Sequence, residues 1–136
     1  MADLHAAVTD THALIFHAAG SGRGLGPRAA AAFAKCEARE FVIYVPAAVM
    51  WECSLLARVA RVNLRRSPRA FFDDLFSNPA YQPHAMDQRQ VFDAGDLRLL
   101  NDPFDALICA AARDLELPLI TADAAIVSSR LVTTIW

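Results

Sequence analysis

Four carboxylates in this chain stand almost alone in apolar surroundings. Asp10 follows the stretch Ala6–Thr9, and Asp123 closes Leu117–Ala122. Glu52 is the only charged residue between Phe41 and Ala57, and Asp105 opens the apolar run Ala106–Ala112. Acids so placed are costly to desolvate unless something compensates them. Two carboxylates ~4 Å apart repel by roughly 4 kcal/mol at an effective dielectric of 20. Four that converge therefore require a cation. An oxygen-only donor set without clustered Cys or His selects Mg²⁺ or Mn²⁺ over zinc. The chemistry this suits is metal-assisted cleavage of a phosphodiester.

The elements that must bring these acids together are legible from period and punctuation. Strands are expected at Ala6–Asp10, Phe41–Val45, Tyr81–Ala85 (weak), Leu119–Thr121 and Val132–Trp136. Helices are expected at Thr11–His17, Pro27 to about Arg39, Pro46 to about Val62 and Pro68–Phe76. Further helices should cover Asp87 to about Leu99, Pro103–Leu115 and a short stretch after Asp123. Alternating strands and helices with short connections predict a single α/β domain over residues 1–136, three-layered, its parallel sheet flanked by helices. Asp10 and Asp123 each end a strand, and in open α/β sheets the carboxyl edge carries the ligand site.

Glu52 has no simple structural role. On a helix, its neighbours three and four positions away are Ala48, Val49, Leu55 and Leu56, all apolar. The opposite face, through Ala47, Trp51, Ser54, Arg58 and Arg61, reads as the solvent side. Helical side chains lean toward the helix N-terminus, so Glu52 can reach back to the sheet edge. Asp10, Asp102 and Asp123 also suit helix N-caps, and Asp105 suits a first turn. Taken one at a time, capping is the favoured reading for each of these aspartates.

Composition narrows the class. Hydrophobic residues make up 55% and charged ones 21%, which excludes a disordered chain. No apolar run approaches the ~20 residues of a membrane span, and Met-Ala-Asp-Leu-His lacks the basic start of a signal peptide. A cytoplasmic protein is expected. Cys36, Cys53 and Cys109 lack metal or disulfide spacing and read as buried reduced thiols. His12, His17 and His84 lack ligand spacing and read as ordinary side chains. The alternating glycines Gly20, Gly22, Gly24 and Gly26 do not make a phosphate loop, because Leu25 stands where G-x-G-x-x-G needs its last glycine.

Asp10-Thr11-His12-Ala13-Leu14, Trp51-Glu52, Asp102-Pro103-Phe104-Asp105, Leu117 to Asp123 and the final Ile135-Trp136 together resemble the PIN-domain proteins, in order and over nearly the whole chain. The VapC-type toxins of toxin–antitoxin pairs are the nearest likeness. The resemblance implies a Mg²⁺- or Mn²⁺-dependent endoribonuclease with Asp10, Glu52, Asp105 and Asp123 as catalytic and metal-binding acids. It implies Thr11 and Asp102 as accessory residues, RNA as substrate, a cognate antitoxin as partner, and a homodimer. The chain departs from the pattern at Pro46-Ala47-Ala48, where Ser or Thr is usual, and at Ala106, where Arg is usual. Its glycine loop is also longer.

Arg58, Arg61, Arg65, Arg66 and Arg69 fall within twelve residues that contain no acid. Arg58, Arg61 and Arg65 have helical spacing, and the run reads either as a solvated face or as a grip on RNA phosphates, with Arg65 and Arg66 beside the acids. Two rival functions use the same acids. An Asp-based phosphoryl-transfer α/β domain would need a lysine near the phosphate, and the only lysine, Lys35, is badly placed. A non-catalytic PIN-like interaction module would use the acids to receive a partner's arginine.

Overall fold

A computed structural model describes residues 4–20 and 23–136. Gly22, in the middle of the glycine run, and the first three residues lie outside that range. In chain order the elements are β1 (Ala6–Thr9), α1 (Thr11–Ala18), α2 (Pro27–Glu37), β2 (Val42–Pro46), α3 (Ala47–Arg58) and α4 (Pro68–Phe76). They continue with β3 (Tyr81–His84), α5 (Gln88–Asp96), α6 (Pro103–Leu115), β4 (Leu119–Ile120), α7 (Ala124–Ser129) and β5 (Thr134–Ile135).

The five strands form one parallel sheet in the order β3-β2-β1-β4-β5, with helices on both sides in a three-layer α/β arrangement. Val8 pairs with Tyr44 of β2 on one side and Leu119 of β4 on the other, so β1 is central. Its residues Ala7 and Val8 are fully buried, as are Ile43 and Val45 of β2 and both residues of β4. Such apolar runs suit strands covered on both faces. Pro83 is tolerated because β3 is an edge strand, where a missing ladder N–H costs little. The chain winds from β1 outward to β3, then crosses back to start again at β4 on the other side of β1. The reversal of strand order falls between β1 and β4, and this is the switch point at which such sheets open a ligand crevice.

Several helices end earlier than their hydrophobic pattern suggests. α3 stops at Arg58 because Ala60 turns into the left-handed region (φ 59°) and Arg61 N–H donates to the Leu56 carbonyl at 2.9 Å. That is the wrap-back that closes helices at a left-handed residue. Arg39 (φ 62°) closes α2 in the same way, and Glu116 (φ 54°) closes α6 at Leu115, the end its sequence suggests. Arg61 and Arg65 consequently do not continue the solvent face of α3, as their spacing had suggested. The three cysteines are free and buried, as expected. Among the described residues, no helix is long and apolar enough to cross a membrane.

Candidate active site

The strand ends and helix starts meet in a pocket of about 220 Å³ lined by Asp10, Thr11, Glu52, Asp102, Asp105 and Asp123. Every acid singled out in the sequence lies on its wall. The capping readings of Asp10, Asp102 and Asp123 also hold, and capping is part of how the site is built. Asp10 Oδ1 accepts from Ala13 N–H at 2.8 Å, and Asp123 Oδ1 accepts from Ile126 N–H at 3.0 Å. Asp102 Oδ1 accepts from Phe104 N–H (2.8 Å) and Asp105 N–H (3.2 Å), fixing the first turn of α6. Each cap orients its carboxylate through one oxygen, while the helix N-termini α1, α6 and α7 add positive dipole ends around the acids.

Glu52 arrives from the second turn of α3, which packs against α1 and α6. The Thr11 hydroxyl donates to Glu52 Oε1 at 2.5 Å and sets the carboxylate in place. Thr121 was missed by sequence reasoning. Its fully buried hydroxyl accepts from Asp123 N–H at 3.1 Å, and its nearness favours the charged form of Asp10 at the end of β1. A Thr immediately past a buried strand and two residues before an acid was the available signal. His12, read as an ordinary side chain, lies on the pocket wall with Phe16, Ile108 and Trp136.

The acids destabilise one another's charge. Burial pushes the Asp105 carboxyl up to about 7, helped by the nearby charges of Asp123, Asp102, Glu52 and Asp10. Asp10, only 8% exposed, is also raised by burial, with Thr121 and the Ala13 N–H opposing the rise. Burial holds the Cys109 thiol at about 12, with Asp105 and Asp123 adding to the rise, which keeps it a neutral wall residue.

Hard oxygen donors, mutual repulsion and two polar hydroxyls fit a divalent cation of the Mg²⁺ type. Among the described residues, no three His, Cys, Asp or Glu side chains are gathered into a finished coordination set. The acids instead share a common pocket wall. Among the described residues, no arginine lines that wall. Arg66 pairs with Asp74 at 3.1 Å and lies over the Phe71 ring, while Arg65 is exposed in a left-handed turn closed by Asn63.

Two of the loop glycines, Gly24 and Gly26, pack against this wall. A Cβ on Gly26 would stand 2.6 Å from the Trp136 backbone, and one on Gly24 (φ 90°) would press on the Phe16 ring at 3.0 Å. Arg28 N–H donates to the Trp136 carbonyl at 3.0 Å, completing the close approach. Gly26→Ala should therefore push Trp136 off the pocket wall and cost about 1–3 kcal/mol. A thermal melt checks the loss, and an unchanged melting temperature would show that the approach is not tight.

A central β1–β4 crevice with acids on successive strand ends defines a class of α/β domain. Over residues 7–128 the sequence matches the PIN domain, and the chain belongs to the PIN domain family. No curated protein matches it in sequence. Solved structures that resemble it include VapBC2 from Rickettsia felis bound to a DNA fragment from their promoter. That match has a TM-score of 0.68 at 15% identity and covers 95% of this chain and 96% of that one. FitAcB from Neisseria gonorrhoeae matches at 0.57 and 18% identity, covering 93% and 94%. A toxin–antitoxin complex from Klebsiella pneumoniae matches at 0.52 and 18%, covering 86% of each chain. At these identities the likeness concerns the fold.

Proposed function

We propose that this pocket hydrolyses RNA phosphodiester bonds as a Mg²⁺- or Mn²⁺-dependent endoribonuclease. PIN domains are generally nucleases that use divalent metals. The observation that carries the reading here is the convergence of Asp10, Glu52, Asp105 and Asp123 on one wall, with Asp105 held near neutrality by burial and the others' charge. Asp10, Asp105, Asp123 and Glu52 would hold the cation. When bound, it supplies positive charge against the scissile phosphate and acidifies water. Glu52, its Oε1 held by the Thr11 hydroxyl, would orient the attacking water and take its proton as the P–O bond to the leaving ribose oxygen breaks. Asp102 and Thr121 act as positioning residues, holding α6 and the strand ends. Phe16, Ile108 and Trp136 exclude bulk water from one side.

The partners follow from the same reading. The resembling structures include toxin–antitoxin complexes, and we assign this chain the toxin's part in such a pair. A cognate antitoxin, a homodimer and a cytoplasmic location go with that assignment.

Asp10→Asn and Glu52→Gln test the assignment. Both remove a charge while keeping shape, and Asn still caps α1. Each should abolish RNA cleavage and toxicity and leave the fold intact by circular dichroism; wild-type rates in both would end the catalytic assignment. The arginines give a separate expectation. Arg65→Ala/Arg66→Ala should weaken RNA binding and lower its salt slope by roughly 0.7 for each phosphate no longer neutralised, sparing metal affinity. RNA affinity equal to that of the wild type at both low and high salt would leave Arg66 with only its Asp74 pairing.

A further inference from the structure

Beside the acidic pocket, across α3, lies a second groove of about 540 Å³ between α3 and α4. Its walls carry Met50, Trp51, Phe72, Phe76, Pro68 and Arg69. Phe72 is buried at its base, stacked on Phe76. Trp51 is different, because this large ring is 52% exposed. It precedes Glu52, which lines the acidic pocket, in the second turn of α3, where side chains lean toward the helix start. The Arg58 guanidinium lies 5.7 Å from the Trp51 ring centroid, so one face of the indole is braced by a cation.

We propose that this groove binds an unpaired base of the RNA substrate next to the scissile phosphate, with Trp51 as the stacking platform and Arg69 contacting the backbone. The inference rests on the nuclease reading and names the substrate form it requires: single-stranded RNA. Charge selects a polyanion as occupant. At the groove itself Arg58 lies over Trp51 and Arg69 is on the wall, against one wall carboxylate, Asp73. An exposed indole braced by one cation, with a further arginine alongside, is how proteins hold single strands without reading their sequence. A duplex keeps its bases stacked inside and gains nothing from such a ring.

Trp51→Ala, Trp51→Phe and Arg69→Ala test the groove with a labelled twelve-nucleotide single-stranded RNA and its duplex. Binding is read by anisotropy in EDTA and cleavage separately with Mg²⁺. One base stack is worth about 5- to 100-fold in affinity. Trp51→Ala should lose that much for the single strand, much less for the duplex, and raise KM more than it lowers kcat. Trp51→Phe should recover most of the loss, and Arg69→Ala should lower the salt slope by about 0.7. In Trp136→Phe, Trp51 is the only indole left, and saturating RNA should quench its emission; this readout leaves the ring in place should Trp51→Ala fail to fold. Unquenched emission overturns the proposal. So does a folded Trp51→Ala that binds and cleaves RNA like the wild type, even if it has lost a protein partner. That outcome leaves the nuclease reading standing, whereas a wild-type protein that cleaves no RNA removes both.

Discussion

Asp105→Asn should lose RNA cleavage by two or more orders of magnitude and at the same time melt higher than the wild type in metal-free buffer. The two effects have one cause. Asp105 is raised to about 7 by burial and by Asp123, Asp102, Glu52 and Asp10. An acid whose folded pKa exceeds its unfolded value of about 3.8 binds more protons when folded. Its contribution to stability is therefore most favourable below pH 4, falls as pH rises from about 4 to about 7, and is lowest above that. Asp10 is shifted in the same direction. Partial exposure of Asp105 and solvent screening reduce the full effect, and a gain of about 1–2 kcal/mol at pH 8, several degrees for a chain of this size, is expected. At pH 4 the advantage should vanish. A variant that melts lower than the wild type at pH 8 would show that Asp105 is not in repulsive surroundings.

Mg²⁺ or Mn²⁺ should raise the melting temperature of the wild type. A ligand bound only by the native state stabilises by about 2.7 kcal/mol at a hundred times its Kd. Here the cation also relieves the repulsion that burdens the metal-free protein, so the shift should be larger at pH 8 than at pH 5. Asp10→Asn and Asp105→Asn should reduce it together. Differential scanning calorimetry across a metal titration measures this directly. No shift at millimolar metal, with the wild type folded, would mean that the shared wall does not bind a cation.

Much of this arrangement was legible in the sequence because it rests on local chemistry. The apolar runs at Ala7–Val8, Phe41–Val45 and Leu119–Ile120 could only be buried strands, and acids at their ends had to fall on one sheet edge. Glu52 was identifiable because no capping role competed for it. For Asp10, Asp102 and Asp123 capping and site roles were rival readings, and the structure merges them, since one carboxylate can cap with one oxygen and face the pocket with the other. Helix ends were less legible. Ala60 and Arg39 adopt left-handed turns usually given to glycine, at a cost that local packing must repay. That is why the arginine run looked helical beyond Arg58. The close approach of Trp136 to Gly26 joins residues at opposite ends of the chain and left no local pattern to read. Thr121 was overlooked because a buried hydroxyl after a strand resembles an ordinary β-branched core residue.

The acids around β1 and β4 are proposed to form a cation-dependent phosphodiesterase centre acting on RNA. Its most direct test is cleavage of a single-stranded RNA by the purified chain in EDTA, after return of Mg²⁺ or Mn²⁺, and with Asp10→Asn prepared in parallel. No cleavage is expected in EDTA, recovery is expected on adding metal, and none by the variant under either condition. Equal cleavage in EDTA and Mg²⁺, or metal-dependent cleavage that survives Asp10→Asn at the wild-type rate, would contradict it.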